Sequence, residues 1–284
     1  MSTNDIITQR QSEILQALAQ YKYLTTSQVV DLLVQGDAKD KSDTNKLLKK
    51  MREGRSPLLG CHMFGGTHKF NQREYVYFLK PKGAKDLVLY MKQDPDTIKR
   101  PAETSTIYVK DYEHRKRFID TQISLYRWAE SKGYEVPLYD TYFDFTGNAR
   151  AGTLRAKTSI LLDPITKKRV VPDGLFFIDR RTERSLYAIE MHMGADTGRA
   201  MKQIESHKKT LDIGSASEHY GFNKGNRVLY VFNEAGCMRA TMERVRQSTV
   251  ITEPYRKYFL FASYNDILQD FDSWVSCESE RINL

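Results

Sequence analysis

Two carboxylates between Val170 and His192 are the residues of this chain best placed to do chemistry. Asp173 begins one apolar run, Glu190 lies near the end of a second, and a charged turn separates the runs. The pattern predicts two antiparallel strands, which bring the carboxylates close together. Converging carboxylate oxygens suit a hard divalent cation such as Mg²⁺ or Mn²⁺. The sequence therefore predicts a metal-dependent, phosphodiester-cleaving site with Asp173 and Glu190 as metal ligands and catalytic residues.

Each carboxylate also has a structural explanation. An Asp-Gly pair often forms only a turn, but here it precedes an apolar strand. A glutamate inside an apolar strand is rarely buried without a partner. A metal held by the pair would polarise a scissile phosphate and lower the pKa of a bound water. This combination favours the functional interpretation of Asp173 and Glu190.

His192 follows Glu190 by two residues, so both side chains are expected on one face of the strand. It is a candidate third metal ligand, or a catalytic general base near neutral pH. The alternative is a hydrogen-bonded histidine of the core.

A helix is predicted from about Thr197, with further candidate residues. Gln203 and His207 are spaced i and i+4, so they share one helix face. Arg199 is expected to contact phosphate or to brace the turn. Lys202 is a candidate catalytic cation, with a solvated helix face as the alternative.

The elements that position these residues are carried by a basic chain of 284 residues with a formal net charge of +8. This length fits one large or two modest domains. Between Lys39 and Lys85, twelve basic residues stand against four acidic ones, so the excess is concentrated in one region. Such a concentration favours an anionic partner, most often nucleic acid.

Residues 1–95 are predicted to form a winged-helix DNA-binding domain, because three short helical patterns precede two β-like runs joined by a basic turn. In that fold the third helix enters the major groove and the hairpin touches the backbone. A winged helix used for dimerisation is the alternative. The predicted DNA-binding residues lie on the third helix and in the hairpin: Lys46, Lys49, Lys50, Arg52, Lys69 and Arg73.

Residues 96–111 are predicted to be a linker, and residues 112–284 a mixed α/β domain. The second region begins with a long helical pattern, continues as a series of β-like runs and then alternates helices with strands. The predicted fold class is therefore a two-domain α+β and α/β protein.

The residues from Glu190 to Ile204 read EMHMGADTGRAMKQI, and this segment resembles the replication-relaxation family. That family is similar to the MOB-C class of plasmid relaxases, which join a winged helix-turn-helix to a PD-(D/E)XK restriction-endonuclease-like core. The resemblance implies a DNA-binding relaxase or nickase that cuts at a plasmid or mobile-element transfer or replication origin. It also implies double-stranded DNA as partner, single-stranded DNA after nicking, and accessory mobilisation or replication proteins.

The chain departs from the nuclease pattern at His192, which stands where that pattern has lysine. In this fold class the lysine can migrate to the following helix, where Lys202 is the candidate. A first-helix glutamate can approach the metal, which makes Glu113, with its neighbour His114, a secondary candidate. The alternative for Glu113 is an acid stabilised by the helix dipole.

The missing lysine favours a second function, a non-catalytic origin- or operator-binding protein with a degenerate nuclease-like scaffold. A tyrosine-relaxase mechanism is disfavoured because no two of the six histidines are two residues apart. Three scattered cysteines predict free thiols in a reducing cytoplasm. The absence of a long apolar run predicts no contact with a membrane.

Overall fold

The structure is a computed structural model that describes residues 7–33, 38–64, 74–101, 111–163 and 165–284. The chain divides into two compact units between Ile119 and Asp120. The division falls within the long helix that begins at Tyr112, the residue at which the second domain was expected to start. Of the expected linker 96–111, residues 102–110 lie outside the described residues.

The first unit combines a helical layer with a small antiparallel sheet. In chain order its elements are α1 (Gln9–Tyr21), β1 (Leu24–Thr25), α2 (Thr26–Leu33), α3 (Ala38–Arg52), β2 (Leu59–Phe64), β3 (Glu74–Leu79) and α4 (Pro81–Met91), followed by a 3-10 turn (Pro95–Thr97). The sheet order is β1–β3–β2, with both pairings antiparallel. Apolar residues at helical spacing in α1, among them Ile14, Leu15 and Leu18, are fully buried.

Local sequence explains where several of these helices begin. Thr8 and Gln11 form a reciprocal capping box at the start of α1. Pro81 occupies the first turn of α4, where its missing N–H leaves no hydrogen bond unmade. The sequence offers Asp43 or Thr44 as an N-cap for the third helix, but α3 begins at Ala38 and Thr44 is buried within it.

The second unit is built on a seven-stranded mixed sheet. Its helices are the remainder of α5 (Tyr112–Lys132), α6 (Thr197–Ile213), α7 (Ser215–His219), α8 (Ala235–Gln247), α9 (Glu253–Arg256) and α10 (Tyr264–Gln269). The strands of the large sheet are β4 (Tyr139–Thr141), β9 (Gly174–Arg180), β10 (Glu183–His192), β11 (Arg227–Phe232), β12 (Phe259–Ser263), β13 (Trp274–Val275) and β14 (Arg281–Ile282). Two small sheets pair β5 (Phe145–Thr146) with β6 (Arg155–Ala156) and β7 (Ile160–Asp163) with β8 (Lys168–Val170).

The order of the large sheet is β14–β13–β12–β11–β10–β9–β4. Strand β10 is central: it pairs antiparallel with β9 and parallel with β11. Helices α6 and α8 cover one face, where Ile204 and Val245 are buried against Tyr230 and Phe261. On the other face Tyr139 stacks on Phe176, which stacks on Tyr187. Burial on both faces explains why the central strands are almost continuously apolar.

The chain is a mixed α/β protein, as predicted, with ten α-helices and a mixed sheet among the described residues. The sequence pattern predicts a last helix over residues 265–274, as far as Trp274, but α10 ends at Gln269. Asp270 accepts a hydrogen bond from the backbone N–H of Asp272 at 2.9 Å, and this local bond competes with continued helix. Trp274 lies instead in β13. Among the helices described, none is long and apolar enough to cross a membrane.

Candidate functional site

Asp173 is fixed at the start of β9 by bonds from two other segments. Its backbone oxygen accepts from the N–H of Tyr142 at 2.9 Å, and the hydroxyl of Thr158 donates to the preceding carbonyl, that of Pro172, at 2.7 Å. The side chain is half-buried, and its Oδ2 accepts from the backbone N–H of Met191 at 2.7 Å. Asp173 therefore links the start of β9 to the end of β10.

Glu190 is almost completely buried, with 1% of its surface exposed, and helix α6 supplies two partners for it. Oε1 lies 2.6 Å from Nε2 of His207, and Oε2 accepts from the amide nitrogen of Gln203 at 3.2 Å. The i and i+4 spacing of these two α6 residues places both on the face that meets β10. Asp173 and Glu190 directly adjoin the paired residues Gly174 and Ile189, and α6 supplies the polar partners of Glu190.

Burial determines the electrostatics of this cluster. Complete burial lowers the pKa of His207 to about 4, although the negative charge of Asp173 acts in the opposite direction. The imidazole is then neutral near pH 7, and its Nε2–H tautomer can donate to Oε1 of Glu190. Burial also raises the pKa of Tyr230 far above its usual range, and the charge of Glu190 adds to that effect. The cluster therefore combines a carboxylate with neutral donors.

His192 lies on the same strand as Glu190 but in different surroundings. Its ring stacks on Phe232, with centroids 4.9 Å apart, and on Tyr230 at 5.6 Å. Both aromatic residues belong to β11, the parallel neighbour of β10. The imidazole is 6% exposed. This packing is that of a core histidine stacked on aromatic rings.

These residues do not fit a metal ion as they are arranged. Both Glu190 oxygens accept hydrogen bonds from α6, and Asp173 Oδ2 accepts one from the backbone. Across the described part of the chain, no three His, Cys, Asp or Glu side chains are grouped so that they could hold a metal. The proposed ligand set of Asp173, Glu190 and His192 is thus not assembled as a metal centre, and we derive no chemical step through Mg²⁺ or Mn²⁺.

The other candidates on α6 lie outside this cluster. Lys202 precedes Gln203 by one residue and is exposed, because successive helical positions are about 100° apart. Among the described residues, no hydrogen bond or ion pair joins its side chain to Asp173 or Glu190. Arg199 is also exposed, and its backbone N–H donates to the capping carboxylate of Asp196 at 3.0 Å.

Glu113 and His114 occupy the first turn of α5, in the first unit. Glu113 is exposed and lies 4.0 Å from Nε of Arg117, while Nδ1 of His114 lies 3.7 Å from Asp111. An acid in the first turn of a helix is favoured by the helix dipole, which is the structural explanation considered for Glu113.

The basic residues of α3 fall into two groups. Lys46, Lys49 and Lys50 are exposed, and Lys46 forms an ion pair with Asp43 at 2.9 Å. Arg52 instead packs on the strands, with its guanidinium 4.5 Å from the ring centre of Tyr75 and a nitrogen 3.5 Å from the sulfur of Cys61. Lys69 and Arg73 lie outside the described residues.

The contact of His207 with Glu190 is not predicted by the sequence, which indicates only that His207 shares a helix face with Gln203. The available signal was a buried strand glutamate followed by a helix that carries two hydrogen-bonding residues at i and i+4. The contacts of Tyr142 and Thr158 near Asp173 had no such signal, because both come from irregular segments. No protein-family model matches this chain, and no curated protein does so either.

Proposed function

We propose that this protein binds duplex DNA at a plasmid or mobile-element origin, through a winged helix in its first unit. The observation that carries the proposal is the exposed basic surface of α3, the third helix in the element order α1–β1–α2–α3–β2–β3. In a winged helix the third helix enters the major groove. The resemblance to the replication-relaxation family supports an origin as the target.

Within α3 we assign most of the phosphate contact to Lys49 and Lys50. Both are exposed, and among the described residues neither forms an ion pair. Lys46 is partly neutralised by Asp43, and Arg52 braces α3 against the hairpin through Tyr75. Lysine contacts to phosphate give affinity and salt dependence rather than sequence reading.

For the second unit we propose a nuclease-like scaffold that does not cut DNA. The support is the hydrogen bonding of Glu190: one carboxylate oxygen contacts His207 and the other accepts from Gln203. To act as a metal ligand, Glu190 would have to leave these two partners. Their buried polar groups would then lack hydrogen bonds, which costs free energy. In this proposal the cluster joins α6 to the sheet, and DNA recognition belongs to the first unit.

The test is the salt dependence of binding to a duplex that carries the cognate origin. We expect Lys49→Ala/Lys50→Ala to weaken binding and to reduce the slope of log K against log salt by about two. Lys85→Ala/Lys209→Ala removes the same charge from exposed positions outside α3 and serves as the control. An equal change of slope in both double variants, or in neither, would contradict the role of α3.

The second candidate is a relaxase or nickase, favoured by the position of Asp173 next to the end of β10, where Glu190 lies. Supercoiled plasmid carrying the origin would be incubated with the protein and Mg²⁺ or Mn²⁺. Cleavage by the wild type that is lost in Asp173→Asn and Glu190→Gln would establish the nickase. Equal behaviour of wild type and variants would support the binding protein.

A further inference from the structure

A pocket of about 320 Å³ lies at the other end of the central sheet from Asp173. It is formed near the β9–β10 turn and the start of β11. Glu190 is seven residues along β10 from Glu183, a lining residue, so the two ends of the strand are separated by roughly 23 Å. Four cationic side chains line the pocket: Arg180, Arg184, Lys224 and Arg227.

Two of these cations already have carboxylate partners. Arg184 donates two hydrogen bonds to Asp179, and the ammonium of Lys224 lies 3.1 Å from Glu183. Their charges are therefore largely compensated within the protein. Glu183 is the one side-chain carboxylate among the residues described as lining the pocket.

The other two cations, Arg180 and Arg227, are not compensated in this way. Arg180 donates to the hydroxyls of Ser185 at 3.0 Å and Tyr187 at 2.9 Å, which hold the guanidinium in place without neutralising it. In the described part of the chain, the Arg227 side chain forms no hydrogen bond or ion pair, and it is half-buried. A guanidinium that forms no ion pair with a carboxylate, in a concave site, suits a phosphate group.

The carboxylate of Glu183 is affected by three of these cations. The pKa of Glu183 is lowered first by the hydrogen bond from Lys224, and then also by the charges of Arg180 and Arg227. Lys224, Arg180 and Arg227 therefore all act on the charge of Glu183, and all four residues line the pocket.

The pocket also presents aromatic surface. Phe222 and Tyr258 line it and are both half-buried, so each keeps part of a ring accessible. Flat aromatic groups stack on nucleic-acid bases with little regard to base identity. The volume lies at the lower end of the range for small-molecule sites. Cations beside accessible rings match the two chemical parts of a nucleotide.

We propose that this pocket binds one nucleotide unit, with its phosphate against Arg180 and Arg227 and its base against Phe222 or Tyr258. The unit is either a free nucleotide or part of a single strand, since both carry the same phosphate and base. The inference does not rest on DNA binding by α3, because the residues that carry it all belong to the second unit.

Calorimetric titration of the full chain with dAMP, with a short single-stranded oligonucleotide and with inorganic phosphate tests the proposal. We expect the wild type to bind dAMP or the strand more tightly than phosphate, which lacks a ring. Arg227→Ala should weaken that binding about tenfold, since it removes a charged hydrogen-bond donor. Tighter binding of dAMP indicates a free nucleotide as the ligand, and tighter binding of the oligonucleotide indicates a single strand. Either result supports the proposed site.

Arg181→Ala is the matched control, because Arg181 is exposed in the adjacent turn and does not line the pocket. It should change affinity less than twofold, whereas Glu183→Gln should tighten binding by removing the competing carboxylate. Arg227 is preferred to Arg180 because Arg180 braces the hairpin. No binding of either nucleotide probe, equal losses in Arg181→Ala and Arg227→Ala, or phosphate binding as tight as dAMP would overturn the proposal.

Discussion

Nε2 of His207 lies 2.6 Å from Oε1 of Glu190, and both side chains are buried between α6 and the central strand β10. The contact joins a helix to a strand by a polar bond within an otherwise apolar layer. Because the imidazole is held neutral, its protonation would place an additional charge in the core.

The buried imidazole predicts a stability that depends on pH. The pKa of His207 is lowered from 6.5 to about 4, so between these values the unfolded chain binds a proton that the native chain does not. The free energy of unfolding therefore has its full value above pH 6.5. It falls by about 3 kcal/mol in total as the pH is lowered towards 4. Urea unfolding of the second unit at pH 7, 5.5 and 4.5 measures this loss.

The matched control for that experiment is the exposed His219. His219→Gln should retain the pH dependence of the wild type, whereas His207→Gln should be less stable at pH 7 and lose less stability on acidification. The same pH slope in all three proteins would show that His207 does not titrate in this way.

Asp173 predicts a difference between two substitutions at one position. Asp173→Ala removes the acceptor of the Met191 N–H, and an unsatisfied backbone donor costs about 1–3 kcal/mol. Asp173→Asn keeps an oxygen that can accept that bond, so its free energy of unfolding should lie closer to that of the wild type. Thermal unfolding of both variants checks this, and equal losses would show that the bond is not what matters.

Glu74 predicts acid sensitivity in the first unit. Burial by itself would raise the pKa of Glu74, but hydrogen bonds from Lys116, Tyr112 and Ser27 outweigh it, and the net shift is downward. Ionised Glu74 therefore stabilises the first unit at pH values above 4.5, the pKa in the unfolded chain. This stabilisation is lost as the pH falls through the lower pKa of the folded state.

Glu74→Gln should therefore lower stability at pH 7 by about 1 kcal/mol, allowing for partial exposure. At pH 3 the difference from the wild type should shrink. Urea unfolding followed by circular dichroism measures both values. Glu53→Gln, at an exposed acid of the same unit, should show no such difference. A loss from Glu74→Gln that is as large at pH 3 as at pH 7 would contradict the ionic contribution.

Two helical glycines predict opposite outcomes of the same substitution. Alanine is the better helix former by up to about 1 kcal/mol. A Cβ at Gly83 in α4, however, would lie 2.5 Å from the backbone oxygen of Leu58, whereas a Cβ at Gly236 in α8 meets nothing within 4 Å. Gly83→Ala should lower the melting temperature, and Gly236→Ala should leave it unchanged or raise it. A stabilised Gly83→Ala protein would refute the close approach.

The proximity of Asp173 to the end of β10 could be predicted because it depends on short-range pattern. Two apolar runs joined by a charged turn define a hairpin, and its antiparallel pairing brings the first residue of one strand near the last of the other. Glu183 pairs with Arg180 and Ile189 with Gly174, so the two strands form an antiparallel hairpin.

The surroundings of Glu190 and His192 could not be predicted in the same way. Helical spacing placed Gln203 and His207 on one face of α6 but did not specify which face meets the sheet. The rings that stack on His192 come from Tyr230 and Phe232, about forty residues later in the chain, through a parallel pairing that periodicity does not reveal. Lys202 became a candidate because, in the fold class that the chain resembles, the lysine can move to this helix, and the structure shows that Lys202 is exposed.

Residues of β10 with even and odd numbers face opposite sides of the sheet, because successive side chains of a strand alternate between its faces. Even positions, such as Leu186 and Ala188, face α6, while odd positions, such as Tyr187, face the aromatic rings of Tyr139 and Phe176. Natural or designed variants can therefore alter the even positions, and with them the polar cluster, without redesigning the opposite face. Deleting a single residue within the strand would exchange the two faces at once.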